Sequence, residues 1–150
     1  MTAPEQKERI RAARVGARVE LVDLRVRKLA AELHQPTSEG PLSFALDVKP
    51  AVSRVDELVV YSLEYEFSSQ DNDQKTVVDG TIEISVLYQL EEGAELTEGE
   101  LAAFGNVSVL FTAHPYLREL LHSLTLRMGL PPLILDVMRS PLDAELEGSQ

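Results

Sequence analysis

The segment from His114 to Leu135, HPYLRELLHSLTLRMGLPPLIL, constrains the fold more than any other, because a whole helix and its stop are written into it. Pro115 fits a first helical turn, where its missing N–H leaves no orphan donor. Leu117, Leu120, Leu121, Leu124 and Met128 follow at helical spacing and lay an apolar stripe along one side. Gly129 ends the helix, and Pro131 and Pro132 forbid its continuation. The spacing thus predicts a packed helix over 115–128, after which Leu133, Ile134 and Leu135 begin something extended and buried.

Such a stripe needs a surface to cover, and the middle of the chain supplies strands. Val59, Tyr61, Leu63, Tyr65 and Phe67 alternate with Val60, Ser62, Glu64 and Glu66, which predicts a strand with one wet face. After the polar connection 68–75, a strand over 76–90 puts Ile82, Ile84, Val86 and Tyr88 on one face, opposite Thr81, Glu83 and Ser85. Leu42, Phe44, Leu46 and Val48 alternate with Ser43, Ala45, Asp47 and Lys49 and read as a short strand or an extended crossover, entered through the loop PTSEGP at 36–41. Asn106 to Phe111 is apolar and a candidate for a further strand. Before it, Thr97 with Glu100 three residues on forms a capping box for a short acidic helix over 96–104.

The first third of the chain contains one helix and one ambiguity. Residues 4–17 favour helix, with Pro4 at the start and strong helix formers after it. Val15, Val19, Val22, Val26, Leu29 and Leu33 would form a coiled-coil stripe if that helix continued. Val22, Leu24 and Val26 equally alternate with Asp23, Arg25 and Arg27 at strand spacing. Neither pattern excludes the other on the residues alone. Strands followed by helices still indicate one α+β domain, an antiparallel sheet covered on one face.

Composition narrows the function classes. A 150-residue chain with 44% hydrophobic residues can bury a sizeable core. No apolar run is long enough for a membrane span, and no charged-then-apolar leader is visible, so neither membrane insertion nor secretion is expected. Without cysteine there is no disulfide, thiol nucleophile or thiolate metal site, a usage that fits the cytoplasm. Net charge is −11, yet residues 1–28 carry eight Lys and Arg against four acids. The remaining body is strongly acidic, which argues against a nucleic-acid partner.

Chemistry-bearing constellations are sparse. His34, His114 and His122 show no HExxH or other metal spacing, and Asp71, Asn72 and Asp73 lack the glycine and terminal glutamate of a calcium loop. No GxSxG, Walker loop or GxGxxG occurs. Neither an enzyme nor a cofactor is expected. What stands out is apolar area that one thin sheet-and-helix protomer has trouble hiding, which points to self-association.

The order Pro115-Tyr116, Arg118-Glu119, Leu124, Arg127, Pro131, Leu133 and Leu135 resembles the signature near the C-terminus of the SecB family of export chaperones. The likeness extends over about 18–141. It implies a first strand from Val19 to Leu33 with an irregularity near Lys28, and a SecB-like domain over 18–142. That domain lies between an N-terminal helical extension (1–17) and an acidic tail (143–150).

The resemblance further implies a four-stranded antiparallel sheet with helices on one face and a homotetramer built as a dimer of dimers. It implies an ATP-independent holdase for unfolded polypeptides, among them precursors for export. Leu42, Phe44 and Leu46 match its client-binding region, and Ile82, Ile84, Leu117 and Leu121 its oligomer interface. Asp79 and Glu83 match the face that docks the motor SecA, although Lys28 and Thr81 stand where that face is acidic. With the added N-terminal helix and altered C-terminal turn, these departures resemble the divergent SecB-like chaperones of toxin–antitoxin systems, whose client is an antitoxin. A scaffold oligomer without a client groove is the reading from another class.

Overall fold

Four long strands pair in the spatial order β1-β4-β3-β2, all antiparallel: β1 (Val19–Leu33), β2 (Ser43–Val55), β3 (Leu58–Gln70) and β4 (Thr76–Leu90). The computed structural model describes residues 2–36, 41–131 and 133. Before the sheet comes α1 (Ala3–Gly16); after it come α2 (Glu98–Phe104), a π-helical turn (Gly105–Val109) and α3 (Leu110–Arg127). This is the expected α+β architecture.

Residues paired across an antiparallel ladder share a face, so register shows which side chains meet the helices. Val59, Tyr61, Leu63, Tyr65 and Phe67 of β3 lie opposite Tyr88, Val86, Ile84, Ile82 and Gly80 of β4. That row is the floor of the core, and the helices close over it. The other face of these strands carries Ser62, Glu64, Glu66, Asp79, Thr81 and Glu83 and stays open.

β1 resolves the ambiguity between coiled coil and strand. Its register slips between Leu21 and Asp23 and again between Val26 and Lys28. Each slip inserts a residue, so Leu21, Leu24, Val26, Leu29, Ala31 and Leu33 all reach the helix side of the sheet at spacings of three and two. A strand broken by two bulges imitates a helical repeat.

The helical layer departs from expectation at one place. Asn106 to Phe111 is not a strand: helical backbone continues from Glu98 to Arg127 through the π-turn. Pro115 consequently lies inside α3 rather than in its first turn. The cause is packing. Val109, Ala113, Leu117, Leu121 and Thr125 form a row at intervals of four, all buried, so the apolar residues of 106–111 belong to the helical stripe. Gly105 is needed at the turn, because a Cβ there would stand 2.9 Å from the Tyr61 ring.

Both helix ends read from sequence are present. Thr97 Oγ1 accepts from the Glu100 N–H and the Glu100 side chain answers to the Thr97 backbone, completing the capping box. At the far end Gly129 takes φ +72, its N–H bonds to Leu126 O, and Leu130 N–H bonds to Thr125 O. That is the paired C-terminal closure only a left-handed residue permits. α1 lies against α2 and the π-turn and lends Ala12 and Val15 to the core, with Asn106 Nδ2 donating to Glu8 Oε1 at 3.0 Å. The acidic tail and Leu135 lie outside the described residues.

Candidate functional site

An apolar cavity of about 160 Å³ lies where the start of β2 meets the end of α3. Pro41, Leu42 and Phe44 form one wall, Leu130, Pro131 and Leu133 the other, with Phe67, Ser69 and Val78 beneath. Its shape follows from local chemistry. Thr125 is buried, donates its hydroxyl to Leu121 O at 2.9 Å, and accepts from Leu133 N at 3.1 Å. This fastens the chain after Gly129 beside the sheet. On the opposite wall Ser69 Oγ donates to Ser43 O at 2.8 Å and holds the first residues of β2.

Leu42 and Phe44 therefore meet at this cavity, and both are half-buried. Leu46 does not join them: it lies farther along β2, at the rim of a second, polar concavity of about 530 Å³ shared with Asp47, Glu66, Ser68, Asp79 and Thr81. Phe67 lines both. Leu130 was not singled out from sequence, although the leucine after a helix-stopping glycine is where a hydrophobic closing contact is expected.

Ile82, Ile84, Leu117 and Leu121, expected at the oligomer interface, meet inside one protomer. Each has 0% exposure in the layer between sheet and helices, so none has area left for a second copy. The large exposed apolar side chains lie elsewhere, most densely on β1: Leu21, Val22, Val26 and Leu29 are 42 to 56% exposed. Among the described residues β1 is an edge strand, and no described strand pairs with its outer backbone groups.

Asp79 and Glu83 lie two turns of the alternation apart on the open face. Glu83 Oε1 accepts from Ser62 Oγ at 2.9 Å and has Arg27 Nη1 at 3.7 Å, while Lys28 stands across from it in register. Asp79 Oδ1 lies 3.0 Å from His34 Nε2, and that hydrogen bond, with the charges of Asp79 and Glu32, holds the imidazole above its ordinary pKa. Basic residues from β1 thus dilute the acidity of this face along one side.

Burial pushes the phenols of Tyr61 and Tyr65 up, the latter to about 12, which leaves them protonated hydrogen-bond donors with no acid–base role near neutrality. The arrangement offers apolar area and exposed strand edge.

No protein-family model matches the chain. Two curated relatives, the SecB-like chaperones MT2006 and Rv1957 of two Mycobacterium tuberculosis strains, are each 31% identical to it over 87% of this chain and 83% of theirs. Among solved structures, the fold matches the Mycobacterium tuberculosis SecB-like chaperone Rv1957, solved in complex with a ChAD peptide from the Rv1956 HigA1 antitoxin. That match has a TM-score of 0.79 at 28% identity and covers 88% of this chain and 99% of that one.

Proposed function

This chain belongs to the SecB-like chaperones, and from that premise we propose that it is an ATP-independent holdase. It grips extended apolar segments of non-native polypeptides at the cavity between β2 and the end of α3. The observation that carries the reading is the lining itself: Leu42, Phe44, Phe67, Leu130 and Leu133 gathered at one opening, in a chain whose core is already closed elsewhere. Apolar area removed from water is worth about 25 cal/mol per Å² whatever residue supplies it, so such a site accepts many sequences of one character. Leu46 and the edge of β2, which is the other outer strand, extend the contact along an unfolded chain through backbone hydrogen bonds that read no side chains.

In this reading the protomers assemble as a homotetramer, a dimer of dimers, in the cytoplasm. The row on β1 supplies the first contact, because exposed Val26 and Leu29 beside backbone groups that no described strand pairs suit a second copy of the same strand. Ile82, Ile84, Leu117 and Leu121 take part by fixing the helix layer that neighbouring copies meet.

A dedicated antitoxin client is favoured over exported precursors in general by two observations. The similar solved chaperone holds an antitoxin peptide. In addition, Lys28 faces Glu83 across β1 and β4, which weakens the acidic docking surface of Asp79 and Glu83 that a SecA partner requires. The reading is tested by diluting a denatured, aggregation-prone polypeptide with and without this protein and following light scattering. Suppression without nucleotide is the expected result; unchanged aggregation argues for a scaffold without clients.

A further inference from the structure

Two neighbouring side chains of β1 and its exit meet a third from the distant β4 on the open face of the sheet, where β1 ends and the chain leaves for β2. Glu32 stands directly across from Asp79 in register, and His34 comes two residues later with Nε2 at 3.0 Å from Asp79 Oδ1. One donor atom of each lies within 4.8 Å of the other two, and all three residues are exposed. A tetrahedral zinc ion with bonds of about 2.1 Å holds its ligand atoms about 3.4 Å apart. Small rotamer changes of exposed side chains close that difference.

The electrostatics favour a cation. Carboxylates directly opposed across an antiparallel pair repel each other, and the charges acting on His34 are those of Asp79 and Glu32, both negative. One imidazole with two carboxylates suits zinc and its transition-metal neighbours, whereas magnesium and calcium prefer oxygen ligands alone.

We propose that Glu32, His34 and Asp79 form a surface binding site for a divalent ion of the zinc class, pinning the end of β1 to β4. Three protein ligands leave the remaining positions to water, so the site is open and its affinity moderate. The ion also braces the end of β1 where the chain leaves the sheet. His34 N–H already bonds to Val77 O at 2.8 Å, and the next residue, Gln35, donates to Asp71 Oδ2 at 3.1 Å. The sequence gives no metal spacing because Asp79 reaches His34 only through strand pairing.

Calorimetric titration of the metal-free full-length protein with zinc chloride tests the proposal. The expected result is one saturable micromolar site per chain, a zinc-dependent rise in melting temperature, and zinc-induced shifts of the His34 ring resonances. His34→Ala and Glu32→Gln, both exposed and checked for folding by circular dichroism, each weaken binding by at least about tenfold. His122→Gln leaves it unchanged, and magnesium chloride gives no saturable heat. Absence of saturable binding at millimolar zinc overturns the proposal. So does binding that survives both His34→Ala and Glu32→Gln, or that is lost with His122.

Discussion

Phe67 lies over Gly80 so closely that a Cβ at position 80 would stand 2.6 Å from Phe67 Cζ and 2.3 Å from Ala30 O. The glycine lets the ring settle against β4, and the same ring forms the floor of the cavity beside Phe44. Gly80→Ala must push either the ring or the backbone of β1. We expect a loss of about 1–3 kcal/mol, seen as a lower urea midpoint, together with altered client affinity because the cavity floor moves.

Tyr61 donates its hydroxyl to Leu101 O at 2.7 Å, below α2, while its ring packs edge-on against Tyr88 and lies beside Phe104. Tyr61→Phe keeps the packing and removes the hydrogen bond. A loss of about 1 kcal/mol in denaturant unfolding is expected, with client binding unchanged.

Ile84 and Val26 face each other across β4 and β1, yet only Val26 is exposed. Ile84→Arg buries an unpaired charge beneath the helices and should abolish folding, visible as loss of the far-ultraviolet signal. Val26→Asp should keep the fold and lower the mass read by sedimentation velocity, as the proposed contact through β1 requires. An unaltered mass would remove β1 from the assembly contact.

Asp71 organises the β3–β4 turn: its Oδ1 accepts from the N–H groups of Asp73 and Lys75 at 2.9 and 3.0 Å, and its Oδ2 accepts from Gln35. The Lys75 and Gln35 bonds hold its pKa below the ordinary value of 3.8. A depressed carboxylate stabilises the fold above its unfolded pKa, and that contribution disappears as pH falls through the folded value. Between about pH 4.5 and 2 the wild type should therefore lose more stability than Asp71→Ala in parallel denaturation curves.

Much of this architecture is legible in the residues. β3 and β4 show because their alternation is unbroken, and the Thr97 and Gly129 helix ends show because caps are local chemistry. β1 is legible only with help from a family likeness, since two bulges convert its period of two into a helical imitation. The segment 106–111 misleads because its apolar residues suit a strand, while the four-residue interval that decides the matter begins at Val109 and becomes clear only with Ala113 and Leu117. At the site, Leu42 and Phe44 are visible as alternation. That Leu130 and Leu133 face them depends on tertiary placement through Thr125, which no local pattern announces.

The proposed holdase stands or falls on whether the cavity beside Phe44 takes a non-native chain. Fluorescence anisotropy of a labelled, permanently unfolded polypeptide titrated with wild type and with Phe44→Asp, alongside native mass measurement, tests it most directly. Affinity weakened by at least about tenfold with the native mass unchanged is expected, since a carboxylate there must be desolvated for an apolar segment to enter. Equal affinity for both proteins would contradict it.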